Sequence, residues 1–162
     1  MSKKVLIVSD SHGLNIHLEE AIANMGDDLD LMIHLGDSQC SEETIRQMVS
    51  CPVEMVKGNS DRVCSLPEYE LVEIGSHKAL LTHGHIQGGR WGIGAMKEMA
   101  RENGADIVMF GHIHEPIVEI DPEITVLNPG SITLPRQEGR RPTYLVMTIE
   151  DDGRTDYSVV YL

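Results

Sequence analysis

Five short stretches of the chain end in side chains that bind metal ions or move protons. They are Asp10-Ser11-His12, Gly36-Asp37, Gly58-Asn59-Ser60-Asp61, His83-Gly84-His85 and Gly111-His112-Ile113-His114. Each follows an apolar run within about two residues. The groups on offer are Asp10, His12, Asp37, Asn59, His83, His112 and His114, with His85 beside them. An oxygen and imidazole set without sulfur suits borderline divalent ions such as Mn, Fe, Co, Ni or Zn. So many donors exceed one tetrahedral site and match two ions that share a carboxylate. Two such ions, about 3.5–4 Å apart, can clamp a phosphoryl group and generate hydroxide at neutral pH. His112 and His114 would then stand close in sequence because they serve neighbouring ions.

Taken singly, each stretch has an ordinary explanation. Asp10-Ser11-His12 reads as a turn and helix cap, Gly36-Asp37 as a turn, and "GNSD" as a loop. His83 and His85 read as a hydrogen-bonded pair. The joint pattern at five strand ends carries the metal reading. His34, inside a strand, reads as a hydrogen-bonded core histidine; His17 falls in a helix and His77 in a turn.

The elements that must position these loops follow a strand, loop, helix order. "KVLIVS" (4–9), "LMIHL" (31–35) and "PVEMVK" (52–57) are short, β-branched-rich runs that predict buried strands. Between them, Leu18, Ala21, Ile22 and Met25 recur at helical spacing before Gly26. Ser41 opens a second helix with Glu42 and Glu43 in its first turn and Ile45, Met48 and Val49 inward. "YELVEI" (69–74) and "KALLT" (78–82) flank "GSH" and predict a hairpin. A helix over 92–104 and a strand "DIVMF" (106–110) come next, then only strands: "IVEI", "ITVLN", "TYLVMTI" and "YSVVYL". The first half is βαβαβ and the second mostly β. That order predicts an α/β (α+β) fold of two sheets packed face to face with helices on the outer faces. Ligands bind outside the carboxyl ends of strands in such sheets, so the five loops would share one rim.

Composition sets the bounds. The 162 residues fit one domain, 1–162, and aromatics make up only 4%, so Val, Ile, Leu and Met must fill the core. No apolar run approaches the ~20 residues of a membrane span, and the start lacks the features of a signal peptide. A cytoplasmic protein without membrane contact is expected. Cys40, Cys51 and Cys64 are odd in number and form no CxxC pair, which argues against a thiolate site or a disulfide framework. The formal charge of −13 repels polyphosphate backbones, so long nucleic acid is excluded as a partner, whereas a small phosphate ester at a local site is not. Arg62, Arg90 and Arg136 are candidates for phosphate contacts or for surface salt bridges. A homo-oligomer is left open.

The ordered set "DSH", "GD", "GNSD", "HGH" and "GHIH", with "NPGSITLPR" (128–136), resembles the calcineurin-like metallophosphoesterases, and within them the small YfcE-like bacterial and archaeal phosphodiesterases. The resemblance implies a four-layer αββα sandwich with a dinuclear centre, most often Mn²⁺. Asp10, His12 and His114 would hold one ion and Asn59, His83 and His112 the other, with Asp37 bridging beside a hydroxide that attacks phosphorus in line. The catalytic residues it implies are Asp37, Asn59 and His85, the last supporting the second metal or touching substrate. In one respect the sequence departs from better-known relatives, which carry histidine directly after the metal-binding asparagine. Ser60 stands there, so general-acid help from this loop is not expected. Two competing functions are a protein-interaction scaffold, since a retromer subunit resembles this fold with a degraded metal site, and a nuclease acting on short or cyclic nucleotides.

Overall fold

The computed structural model describes residues 2–62 and 64–162. In chain order the elements are β1 (Lys3–Val8), α1 (Ile16–Met25), β2 (Leu31–His34), α2 (Glu42–Arg46), β3 (Val53–Met55), β4 (Tyr69–Ile74) and β5 (His77–Thr82). They continue with α3 (Ile93–Glu102), β6 (Ile107–Met109), β7 (Pro116–Glu119), β8 (Thr125–Pro129), β9 (Thr143–Ile149) and β10 (Thr155–Tyr161). β1 shows why the early apolar runs are unbroken. Val5 and Ile7 point to one face, Leu6 and Val8 to the other, and all four are fully buried. A strand covered on both faces has no side for polar residues.

One sheet has the order β10-β9-β1-β2-β3 and the other β4-β5-β6-β8-β7. Both are mixed. β1, β2 and β3 run parallel, as do β5, β6 and β8, while β9, β10, β4 and β7 pair antiparallel with their neighbours. Val5, Ile7 and Ile33 of the first sheet pack between the sheets against Leu81, Met109 and Leu127 of the second. Leu6 and Met32 face outward onto Leu18 of α1 and Ile45 of α2. Leu80 and Val108 face outward onto Met96 and Ala100 of α3. The result is the expected four-layer α/β/β/α sandwich.

The second helix is shorter than its sequence suggests. Ser41 caps it, accepting from the Thr44 N–H at 3.1 Å, but it ends at Arg46. The Arg46 guanidinium bonds both Glu42 and the Val53 carbonyl, which turns the chain straight into β3. Met48 and Val49 reach the apolar cluster from that turn instead. His77 opens β5 rather than lying in the turn, bonded to Asp106 at 2.7 Å and to Thr155 at 2.8 Å. Among the described residues, no helix is long and apolar enough to cross a membrane.

Candidate metal centre

Parallel pairing brings the ends of β1, β2 and β3 to one rim, and those of β5 and β6 to the same place across the sandwich. Hydrogen bonds sew the loops together. Asp10 N donates to Gly36 O at 3.0 Å and His12 N to Asp37 O at 2.9 Å, joining the first two loops. The buried Asp61 carboxylate accepts from Asp37 N (2.8 Å), Gln39 N (2.9 Å) and Gly58 N (2.9 Å), joining the second to the third. His112 N donates to Asp10 Oδ2 at 3.0 Å, joining the first to the last. The "NPGS" stretch closes the circle: Asn128 donates to Gly111 O at 2.9 Å and the Ser131 hydroxyl to Asp10 O at 2.8 Å.

Such convergence strains the chain. Seven described non-glycine residues have positive φ, and six of them are Asp10, His12, Asp37, Gln39, His112 and His114. Left-handed backbone at such residues costs on the order of 1 kcal/mol or more each. Asp and His bear it better than most. Gly111 shows how closely the loops approach: a Cβ there would lie 2.1 Å from Ser9 Oγ and 2.8 Å from Asp10 Oδ2.

The donor atoms face one another. Asp10 Oδ1 lies 3.2 Å from His114 Nε2 and 3.7 Å from both His12 Nε2 and His83 Nε2. Asp37 Oδ2 lies 3.3 Å from His83 Nε2 and 3.8 Å from His12 Nε2. The rings form two groups. His12 and His114 sit 5.2 Å apart, centroid to centroid. His83 sits 5.1 Å from His112 and 5.4 Å from His85. Asn59 is exposed at the rim.

Tautomers follow from the outer partners. His83 Nδ1 is 2.7 Å from Leu35 O, and His114 Nδ1 is 2.7 Å from Leu134 O. Carbonyls only accept, so both Nδ1 atoms carry hydrogen. His12 Nδ1 meets the Gln39 side-chain oxygen at 2.7 Å in the same manner. In each neutral ring Nε2 is then a bare lone pair, aimed at carboxylate oxygens that are also lone pairs. Asp10 Oδ1 and His83 Nε2 are buried and have no hydrogen-bond partner. A cation between them satisfies lone pairs that meet without a donor, so the residues present fit a bound metal.

Without metal, protons supply that cation. The Asp10 contact, against the cost of burial, raises the His12 pKa. Burial alone would lower His83, but Asp37 and Asp10 outweigh it and raise it. Burial would likewise raise both carboxylates; the histidines facing them hold Asp10 well below the usual carboxylate range and lower Asp37. Burial and the neighbouring His83 lower His85 and His112, which favours their neutral forms.

Of the sequence-predicted donors, the structure brings Asp10, His12, Asp37, His83, His112 and His114 together, with His85 beside His83. Asn59 is not brought into contact with them: it stays exposed, and its neighbour Ser60 reaches Asp37 instead. Sequence reasoning missed Gln39, which orients His12, and Asp61, although "GNSD" contains it. His34 is a core histidine as expected, fully buried, with Ser11 Oγ at 2.9 Å and the Gly36 N–H at 3.2 Å.

A sandwich of two mixed sheets, with an oxygen and imidazole cage where parallel strands end, defines a class of metal-dependent hydrolase folds. Residues 4–152 match the calcineurin-like phosphoesterase superfamily domain, and the chain belongs to that family. It is 40% identical over 151 residues to the probable metallophosphoesterase YsnB of Bacillus subtilis, covering 93% of this chain and 87% of that one. A crystal structure of a predicted phosphoesterase from Streptococcus pneumoniae superposes with a TM-score of 0.81 at 28% identity over 99% of both chains. Vacuolar protein sorting 29 from Cryptosporidium parvum shares the fold, with a TM-score of 0.77 at 21% identity over 99% of this chain and 98% of that one.

Proposed function

We propose that the protein is a phosphodiesterase working with two divalent ions, Mn²⁺ above others. The observation that carries this reading is the pair of buried, unpartnered atoms Asp10 Oδ1 and His83 Nε2, 3.7 Å apart, with Asp37 Oδ2 3.3 Å from the same nitrogen. Asp10, His12 and His114 would hold one ion, and Asn59, His83 and His112 the other, in line with the two ring groups. Asp37 would be shared. Asp10 Oδ1 also reaches histidines of both groups, so Asp10 would be shared as well. Two ions bound there would draw off phosphoryl charge and bring the pKa of water near 7.

The chain's own residues set the rest of the chemistry. The Ser60 N–H donates to Asp37 Oδ1 at 2.8 Å and fixes that carboxylate. The Ser60 hydroxyl is too weak an acid to protonate a departing alkoxide at neutral pH. Burial and the nearby His83 hold His85 below the ordinary imidazole value, so it suits a hydrogen bond to substrate rather than delivery of a proton as imidazolium. Leaving groups must therefore depart largely unaided, which favours aryl over alkyl esters. The carboxylates and the net charge of −13 favour a singly charged diester over a doubly charged monoester. A scaffold on the same fold has no need for so full a donor set.

Hydrolysis of bis(p-nitrophenyl) phosphate tests the reading. It is expected to vanish on chelation and to return with Mn²⁺ more fully than with Ca²⁺. Ser60→His is expected to flatten the dependence of rate on leaving-group pKa, by up to about 10²–10⁴-fold for the poorest leaving groups. Undiminished turnover in metal-stripped protein refutes the proposal.

A further inference from the structure

Trp91 is the chain's one tryptophan, and it is 94% exposed. A chain this poor in aromatics has left its largest apolar side chain in water, although the core elsewhere is filled. The loop that carries it is tightly held. Gly88 and Gly89 have φ of 101° and 59°, and Gly89 N donates to Gly84 O at 2.8 Å. A Cβ on Gly89 would come 3.3 Å from Ile113 Cγ2 and 3.5 Å from His112 Cδ2, so the loop lies directly against the His112 ring.

Between this loop and the segment after His114 runs a groove of about 370 Å³, lined by Arg90, Trp91, His112, Ile113, Glu115 and Arg136. That volume suits a small organic group. Arg90 is paired with Glu115, so those two charges cancel. The exposed Arg136 guanidinium has no side-chain partner among the described residues, while its backbone N–H donates to His114 O at 2.9 Å. The groove therefore offers an aromatic face, an aliphatic side chain and one uncompensated cation, and His112 joins it to the cage. The groove on the Gln39–Ser60 side, about 500 Å³, has no aromatic wall.

We propose that this groove is the specificity subsite for a planar aromatic group borne by the phosphate ester, with Trp91 stacking on the ring and Arg136 drawing in the phosphoryl oxygens. The aromatic group is either a simple aryl alcohol or a nucleoside base. This inference rests on the phosphodiesterase reading of the adjacent cage.

The test uses Mn²⁺-loaded protein and phosphonates that cannot be hydrolysed. As the only tryptophan, Trp91 should report occupancy through its own emission, changing saturably with phenylphosphonate or the methylene phosphonate analogue of adenosine 5′-monophosphate and not with methylphosphonate. As competitive inhibitors of diester hydrolysis, phenylphosphonate should bind more tightly than methylphosphonate. Trp91→Ala should erase that preference, about 5- to 100-fold, with methylphosphonate inhibition and metal content unchanged. Trp91→Phe should keep most of it, and Arg136→Ala should weaken both phosphonates alike. Tighter binding of the nucleotide analogue supports a nucleoside ester, and equal binding supports a simple aryl ester. An unchanged preference in Trp91→Ala, with turnover intact, overturns the subsite and leaves the hydrolase reading standing. An emission response to phenylphosphonate without turnover of any diester supports the subsite and overturns the phosphodiesterase reading.

Discussion

Asp61→Asn tests whether the cage is organised by a residue that binds no metal. Asp61 Oδ2 accepts from Asp37 N and Gly58 N, and Oδ1 accepts from Gln39 N. Asparagine has one oxygen. Its best placement keeps Asp37 and Gly58 and turns an NH₂ onto the Gln39 N–H, donor against donor. One charge-assisted bond is lost, about 1.5–3 kcal/mol, and the other two lose the benefit of a full negative charge. A total of about 2–4 kcal/mol corresponds to a fall in Tm of roughly 5–15 °C for a chain of this size. Gln39 orients His12, and Asp37 is itself a donor, so metal affinity should fall about 10- to 100-fold. Calorimetry and competition with a metal indicator measure the two effects. Asp121→Asn is the control. Asp121 also accepts two backbone N–H groups, from Glu123 and Ile124, but in an exposed turn away from the cage. It should cost less and leave metal affinity unchanged. Wild-type metal affinity in Asp61→Asn would refute the reasoning.

Asp10→Asn and Asp37→Asn should each deplete both ions, whereas His112→Asn and His114→Asn should each deplete one; a carboxylate variant that keeps two ions per chain, by elemental analysis, is not shared. The raised His12 and His83 pKa values stabilise metal-free protein below the ordinary 6.5, a contribution lost as pH rises through the folded values, while the lowered Asp10 and Asp37 contribute above about 3.8. Metal needs those rings neutral, so the gain in Tm on adding Mn²⁺ should grow from pH 5.5 to pH 8, and an equal gain at both ends would contradict a histidine-rich cage. Burial depresses His34 to about 4 from 6.5, so its contribution is complete above 6.5 and is lost as pH falls. Urea unfolding of metal-free protein should show His34→Gln losing about 2–3 kcal/mol less than wild type between pH 7 and 4.5, and identical losses would reject this role.

The strands and the donor set were legible in the sequence because both are local. The unbroken apolar run "VLIV" reports a strand buried on two faces, and carboxylate, imidazole and amide side chains carry ligand atoms whatever surrounds them. Other features depend on contacts far along the chain. Nothing in "GNSD" distinguishes Asp61 from a loop aspartate until its carboxylate meets Gln39, 22 residues away. Ser131 matters through Asp10, 121 residues away. The helix after Ser41 reads longer than it is, because Arg46 finds the Val53 carbonyl only in the folded chain. That Asp10 and Asp37 each face histidines of both ring groups, and that Trp91 is left in water on the groove that His112 also lines, follow from how two sheets stack. Residue types and periodicity specify the elements and the chemistry they carry; the lone pairs confront one another only when parallel strand ends from both sheets share one rim.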